Sequence, residues 1–239
     1  LAHWERVLGD AGAMYAPVTG YYSYDQGRVE LEATMNRELS GTADSQFVRR
    51  FLDSLTGQVQ TGASVETTLN ARAQEAAYKG LAGRKGAVVA LDPRTGAVLA
   101  LASSPSYNPN LIADHDLADA RAAYIRLHDD PDSPMANRAV REIYPPGSVF
   151  KLVTAAAALE NGMTTSTLIS SPAQLRLPQT TIDLGNQVPC GGDQITIEQA
   201  LKVSCNTAFA NIALTLGDDK MRAQAERFGF GSRPLPDLN

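Results

Sequence analysis

The sequence has few of the residues that build metal sites. Its 239 residues include only 2 cysteines and 3 histidines. Cys190 and Cys205 do not form a Cys-x-x-Cys pair, and no histidine lies near either of them in the chain. We therefore expect no zinc site, and nothing in the sequence calls for another metal or a cofactor.

The sequence also lacks charge runs and long apolar runs. Lys and Arg number 21 against 26 Asp and Glu, a net charge of −5, and no five like charges stand together. This pattern argues against nucleic-acid binding and against a basic membrane-surface helix. The longest apolar runs, such as residues 86–91 and 155–159, fall far short of the roughly 18 residues of a membrane span. With 44% apolar and 20% charged residues, the composition is that of a globular protein.

The chain divides into a stretch without candidate chemistry and a stretch with clear structural signals. Residues 1–62 are predicted to form a small accessory region whose helical pattern comes from Phe47, Phe51, Leu52 and Leu55. After residue 63 the patterns predict more regular structure. The predicted elements are a strand at 65–69, a helix at 71–81 capped by Asn70, a hairpin of strands 86–91 and 97–102, and a helix at about 116–128.

The strongest signal for a reactive site is the segment Tyr-Pro-Pro-Gly before Ser148. Proline and glycine cannot continue a helix and serine is a good N-cap, so the pattern predicts a helix that Ser148 caps and that runs to about Leu159. Its only charge is Lys151. A helix that is apolar all the way round is expected to be buried, and a buried ammonium needs a lowered pKa or a dedicated partner.

Ser148 and Lys151 stand at positions i and i+3, on one helical face. A neutral lysine is a base that can take the proton of a serine hydroxyl, and the helix N-terminus favours negative charge beside Ser148. This combination suits acyl transfer. The spacing alone is weak, and the alternative is a plain N-cap serine beside a lysine that extends into solvent.

A second element is Ser204-Cys205-Asn206, which the pattern places between a helix at 197–203 and a helix at 207–216. The alternative is that Ser204 or Asn206 merely caps the second helix. Two similar patterns, Ser106-Tyr107-Asn108 and Arg94-Thr95-Gly96, precede Ser148 at a strand end and in a hairpin turn. We interpret both of these as structural.

The order and context of these motifs resemble the transpeptidase domain of penicillin-binding proteins. Ser148 and Lys151 match the Ser-x-x-Lys motif of that family, and Ser204 and Asn206, 56 residues further on, match its Ser-x-Asn motif. Other segments also resemble the family, at residues 85–93, 103–110, 137–139 and 144–147. Within it, residues 15–20 and 204–209 look most like the actinobacterial penicillin-binding protein A group, which is of class B. The resemblance covers about residues 15–231.

The resemblance implies an α/β (α+β) fold of the serine β-lactamase and transpeptidase type, with a central antiparallel sheet flanked by helices. Residues 1–62 would be an accessory, pedestal-type region, and residues 63–239 the N-terminal part of the transpeptidase domain. The chain starts without methionine and has no Lys-Thr/Ser-Gly motif after Ser204. We therefore expect a piece of a longer protein, nearly inactive alone, that functions with the remaining C-terminal part.

The family also implies a D,D-transpeptidase that cross-links peptidoglycan stem peptides ending in D-Ala-D-Ala and is acylated by β-lactam antibiotics. Ser148 would attack the peptide carbonyl and Lys151 would accept its proton. Ser204 would relay a proton to the leaving group, while Asn206 would bind the substrate amide and orient Lys151. The alternatives are a non-catalytic β-lactam sensor or peptidoglycan-binding module, and a serine β-lactamase of the same fold.

The family further implies a location outside the cytoplasm, anchored to the cell membrane by an N-terminal segment, with cell-division proteins as partners. An exported domain permits a disulfide, so Cys190 and Cys205 are predicted to form a bridge that holds the Ser204–Asn206 corner. Two free buried cysteines are the alternative.

Overall fold

The computed structural model describes residues 11–58 and 61–232. These residues form two compact units, 11–143 and 144–232, which are described separately. The division at residue 62 that the sequence predicts stays a prediction.

The first unit combines short helices with two hairpins. Its helices are α1 (Gly12–Thr19), α2 (Glu30–Thr34), α3 (Asn36–Leu39), α4 (Phe47–Thr56), α5 (Ala71–Gly80), α6 (Leu117–His128) and α7 (Arg138–Arg141). Its strands are β1 (Tyr22–Ser23), β2 (Gly27–Arg28), β3 (Gly86–Leu91) and β4 (Val98–Ser104). The predicted helices near 47–55, 71–81 and 116–128 are confirmed, with Asn70 and Asp116 as side-chain N-caps of α5 and α6.

The predicted hairpin is the centre of this unit. β3 and β4 pair antiparallel from Gly86 opposite Ser104 to Leu91 opposite Val98, with an irregularity after Ala90. The turn between them has Gly96 at φ +74°, a backbone conformation that glycine adopts without strain. Arg94-Thr95-Gly96 is thus turn structure, as expected.

A buried glutamine ties α5 to β4. The Gln74 side chain is fully buried, its Oε1 accepts from the Leu101 N–H at 2.8 Å, and its Nε2 donates to the Leu101 carbonyl at 2.9 Å and to the Met14 carbonyl at 2.8 Å. One side chain therefore satisfies backbone groups that would otherwise be buried without partners.

The predicted strand at 65–69 is wrong. This segment has no regular secondary structure, although it runs beside β4. The Thr68 hydroxyl donates to the Val98 carbonyl at 2.7 Å and the Asn70 N–H donates to the Leu99 carbonyl at 2.8 Å. These contacts do not form the alternating backbone ladder that defines a strand.

The pattern Ser106-Tyr107-Asn108 is structural, as expected. Ser106 donates to the Ala13 carbonyl at 2.7 Å, Tyr107 is buried, and the Asn108 side chain caps a short 3₁₀ turn by accepting from the Asn110 N–H at 3.1 Å. All three side chains serve the packing of the first unit.

The second unit packs helices against two small sheets. Its helices are α8 (Phe150–Glu160), α9 (Ile197–Lys202), α10 (Asn206–Leu216) and α11 (Asp218–Arg227). Its strands are β5 (Leu168–Ser170), β6 (Gln174–Arg176), β7 (Asp183–Gly185) and β8 (Gln194–Thr196). β5 pairs antiparallel with β8, and β6 with β7.

The core of this unit lies where α8, α9 and α10 meet. Small side chains on all three helices, including Ala157, Ala158, Ala200 and Ala208, are fully buried. Because alanine adds little bulk, it lets helix axes approach closely, and the larger side chains of Phe209 and Ile212 fill the space beside them.

The prediction that α8 is buried on all sides is wrong. Leu152 is 52% exposed and Leu159 is 45% exposed, while Val153, Ala157 and Ala158 are buried. The helix therefore has one buried and one exposed face within this unit. None of the helices in the described part of the chain is long and apolar enough to span a membrane.

Candidate active site

Ser148 lies in a tight turn that precedes α8. Gly147 has φ +56°, and Gly147–Val149 form a 3₁₀ turn that leads into Phe150. The prediction that Ser148 caps the helix is wrong, because Val149 occupies the cap position and no side chain caps this end. The Ser148 hydroxyl is instead exposed and directed to other side chains.

Ser204 and Asn206 lie at the corner between α9 and α10, as predicted. Thr196 caps α9 by accepting from the Gln199 N–H at 3.1 Å. Ser204 has the left-handed φ of +56°, Cys205 takes the cap position of α10, and Asn206 begins that helix. Because no side chain of this corner caps α10, the alternative of a merely capping Ser204 or Asn206 finds no support.

The predicted disulfide is confirmed. Cys190 and Cys205 are bonded, with their Cα atoms 5.5 Å apart, and both are buried. The bridge links the loop before β8 to the residue between Ser204 and Asn206. The backbone of the corner is therefore covalently attached to a second segment of the same unit.

The side chains of both motifs meet at one amine. Lys151 Nζ lies 2.6 Å from Asn206 Oδ1, 2.6 Å from the Ser204 carbonyl oxygen, 2.9 Å from Ser204 Oγ and 3.3 Å from Ser148 Oγ. The two hydroxyls are also joined, since Ser204 Oγ lies 3.1 Å from Ser148 Oγ. All four residues that the sequence singled out thus contribute to one cluster.

The amine does not lie in an apolar interior, contrary to the expectation from the apolar helix. Lys151 is partly exposed, and the ring centroid of Phe209 lies 5.9 Å from its Nζ. Partial burial lowers the pKa of Lys151 below its ordinary value of 10.5. The surrounding oxygens favour the charged ammonium and so oppose this shift, but burial sets its direction.

The four oxygens around Nζ are of two kinds. The Ser204 carbonyl and Asn206 Oδ1 can only accept hydrogen bonds, whereas the two hydroxyls can also donate. A neutral amine has two N–H groups and one lone pair. When the two carbonyl oxygens take the two N–H groups, the lone pair is left to accept from the Ser148 or the Ser204 hydroxyl, which lie 3.3 Å and 2.9 Å from Nζ. This arrangement can remove a proton from a serine.

The amide of Asn206 has a defined orientation. Its Nδ2 lies 2.9 Å from the carbonyl oxygen of Gly185 at the end of β7. Since a carbonyl can only accept, this end must be the NH₂ group and the oxygen must face Lys151. Gly185 and its neighbour Asn186 were not singled out by the sequence analysis, because no local pattern connects them with a corner some 20 residues further on.

Two families match this chain. Residues 86–239 match the family described as "Penicillin binding protein transpeptidase domain". The chain belongs to this penicillin-binding protein transpeptidase family. Residues 2–65 match the family described as "Penicillin binding protein A dimerisation domain". The resemblance found in the sequence is therefore confirmed, and with it the class B assignment.

Curated relatives support the same assignment. The peptidoglycan D,D-transpeptidase PbpA of Mycolicibacterium smegmatis is 43% identical over 228 residues, which cover 92% of this chain and 46% of the relative. PbpA of Mycobacterium tuberculosis H37Rv is 43% identical over 231 residues, covering 93% and 47%. The chain thus spans about half the length of these penicillin-binding proteins.

Solved structures of penicillin-binding proteins share the fold. The ceftriaxone acyl-enzyme complex of penicillin-binding protein A from M. tuberculosis superposes with a TM-score of 0.91 at 42% identity, over 96% of this chain and 53% of that one. PBP2 of Pseudomonas aeruginosa gives a TM-score of 0.74 at 31% identity, over 92% and 50%. The α/β transpeptidase fold predicted from the sequence is confirmed.

Proposed function

We propose that this chain carries the acylation residues of a peptidoglycan D,D-transpeptidase. The observation that carries the proposal is the position of Lys151 Nζ, between two oxygens that can only accept and two serine hydroxyls. The family membership and the names of the relatives, peptidoglycan D,D-transpeptidases, support the same reaction.

Acylation would begin with Ser148 Oγ attacking the carbonyl carbon of the penultimate D-Ala. The hydroxyl proton passes to the neutral amine of Lys151, which becomes an ammonium. The carbonyl oxygen acquires negative charge, which the N-terminal end of α8 favours. No step requires a metal or a cofactor.

Collapse of this intermediate breaks the bond to the terminal D-Ala. The leaving nitrogen needs a proton, and Ser204 Oγ lies close enough to Nζ, at 2.9 Å, to pass one on from Lys151. The products are free D-Ala and an ester of Ser148, and Lys151 is neutral again. The amine of a neighbouring stem peptide then attacks the ester and forms the cross-link. Its proton passes through Ser204 to Lys151, and Lys151 returns a proton to Ser148.

Asn206 would act on both partners of the reaction. Its oxygen holds Lys151, and one of its two N–H groups binds Gly185. The second N–H remains for a substrate amide carbonyl. A β-lactam would enter the same site and react only as far as the ester of Ser148. Its strained amide opens when Ser148 attacks, and the amine that is released remains part of the acyl group. The acyl-enzyme complex of the M. tuberculosis relative supports this part of the proposal.

The proposed place of action is outside the cytoplasm. A structural disulfide between Cys190 and Cys205 supports an oxidising compartment, where peptidoglycan is assembled. The membrane anchor, the cell-division partners and the remaining C-terminal part of the catalytic domain stay proposals that rest on the family.

The test is labelling of the intact protein with a fluorescent penicillin. We expect one label per molecule in the native protein and none in Ser148→Ala, with Ser166→Ala, an exposed serine of the same unit, as the matched control that keeps its label. Label retained by Ser148→Ala would eliminate Ser148 as the nucleophile.

The fate of the label separates the alternatives. A transpeptidase releases the label slowly and, in a separate reaction with a stem-peptide donor, transfers the acyl group of that peptide to an acceptor amine. Release within seconds would indicate a β-lactamase, and stable labelling without any ligation would indicate a sensor or binding module.

A further inference from the structure

The residue at the N-cap position of helix α10 does not cap the helix with its own side chain. The cap position belongs to Cys205, whose sulfur is committed to the disulfide and makes no cap hydrogen bond. The first N–H groups of a helix have no partner within the helix. A helix that begins beside reactive groups needs a fixed first turn, so an acceptor must come from elsewhere.

Asn186 provides this acceptor from another segment. Its Oδ1 accepts from the Thr207 N–H at 3.1 Å, in the first turn of α10. Its Nδ2 lies 3.1 Å from Thr207 Oγ1 and 3.1 Å from the carbonyl oxygen of Pro172, to which it donates. Thr207 is fully buried, so its backbone N–H has little access to solvent as a replacement partner.

Gly185, the residue before Asn186, fixes the side chain of Asn206 by a hydrogen bond. The Gly185 carbonyl accepts from Asn206 Nδ2 at 2.9 Å, which turns the Asn206 oxygen toward Lys151. Gly185 ends β7, where it pairs with Gln174 of β6. The end of this hairpin therefore fixes both the first turn of α10 and the orientation of the Asn206 amide.

We propose that Asn186 is a positioning residue for acylation: it serves as the N-cap of α10 in place of Cys205 and keeps the Gly185 carbonyl on the Asn206 amide. This inference rests on the proposed function. Asn186 touches neither Ser148 nor the Lys151 amine in the described contacts, so it acts through Asn206.

The inference predicts a defect in rate for folded protein. In Asn186→Ala the first turn of α10 loses its acceptor, and a displacement of about 1 Å at a reacting group can cost as much as 100-fold. We expect the first-order acylation rate of the intact protein with fluorescent penicillin to fall at least about tenfold. The final amount of label, which counts folded sites, should stay near one per molecule.

Asn211→Ala is the matched control. Asn211 lies on the same helix and also donates to a backbone carbonyl, that of Ser170 at the end of β5, at 2.9 Å, but it lies away from the corner. A similar loss of stability with an acylation rate within about twofold of the native protein is expected. Asn186→Asp keeps the acceptor for the Thr207 N–H but loses the donor to the Pro172 carbonyl, so its rate should lie between those of Asn186→Ala and the native protein.

The outcomes distinguish this inference from the proposed function. If Asn186→Ala and Asn211→Ala acylate at the same rate, the positioning role is refuted even when Ser148→Ala loses all label. Should Asn186→Ala not fold, Asn186→Ser gives the same decision, since its side chain is too short to span from the hairpin to α10. Label that persists in Ser148→Ala refutes the proposed function instead.

Discussion

Removing the disulfide should mainly lower the stability of the protein. The bridge joins Cys190 to Cys205, 15 residues apart, and both side chains are buried in the core of the second unit. Cys190→Ala is the informative change, because it breaks the bridge and leaves Cys205, the residue between Ser204 and Asn206, in place.

The expected loss follows from the size of the loop. A cross-link across 15 residues restricts the unfolded chain and contributes about 3 kcal/mol at 25 °C by the loop-entropy relation. The sulfur lost at Cys190 leaves only a small void, so the cavity adds little to this value. The free energy of unfolding of the unit should therefore fall by about 3 kcal/mol.

Urea unfolding of the intact protein measures this loss. Far-ultraviolet circular dichroism should report the shift in the midpoint of the second unit through its helices α8–α11. The native protein in dithiothreitol should unfold like Cys190→Ala, and the variant itself should not respond to the reductant. These two comparisons separate the loss of the bond from an effect of the alanine.

The reasoning would be refuted by equal midpoints for the native protein and Cys190→Ala. A second result would contradict it in another way. Because the loop-entropy effect acts on the unfolded chain, folded Cys190→Ala should acylate within about threefold of the native rate, while Asn186 still caps α10. A loss of 100-fold would mean that the bridge, and not Asn186, holds the corner in the native state.

Two further predictions concern the base and the first unit. Since Lys151 must be neutral to accept a proton and burial lowers its pKa, the acylation rate should rise with pH through a midpoint below 10.5. Lys151→Ala should acylate about 10²–10⁴ times more slowly, and a native midpoint at or above 10.5 would contradict the assignment. In the first unit, Gln74→Leu should cost about 1–3 kcal/mol for each backbone group of Leu101 left buried without a partner. Urea unfolding tests this value against Gln174→Leu, an exposed position where a change within about 0.5 kcal/mol is expected.

The sequence was most informative where chemistry depends on local spacing. Ser148 and Lys151 are three positions apart, so a helical turn alone brings them together, and the helix breaks on either side of Ser204 and Asn206 marked the corner. The meeting of the two motifs at one amine depended on the family resemblance, since no spacing rule places residues 56 positions apart in contact.

The errors have a common physical origin. An apolar sequence over α8 was interpreted as burial on every side, but Leu152 and Leu159 are exposed within the described part of the chain. Apolar side chains favour burial of a helix face, but they do not ensure that another element of the fold packs against that face. In the same way, serine is a frequent N-cap, but the hydroxyl of Ser148 has better partners in Lys151 and Ser204, so the cap was not formed.

Asn186 could not be found from the sequence for a related reason. Its hydrogen bonds with Pro172 and Thr207 join segments that lie 14 and 21 positions apart in the chain. Such contacts leave no periodic pattern, and asparagine before a polar loop is ordinary turn chemistry. Only the three-dimensional path of the β6–β7 hairpin brings its amide to the start of α10.

The backbone at Ser204 explains why this corner needs several supports. A left-handed φ of +56° costs a residue with a side chain about 1–2 kcal/mol, and glycine would avoid that cost. Glycine would also remove the hydroxyl, whereas serine presents both its carbonyl oxygen and its Oγ to the same amine, at 2.6 Å and 2.9 Å. The strained conformation is therefore useful only while neighbouring groups oppose its relaxation. The cap from Asn186 and the bond from Gly185 to Asn206 both act within three residues of Ser204, which is where that opposition is required.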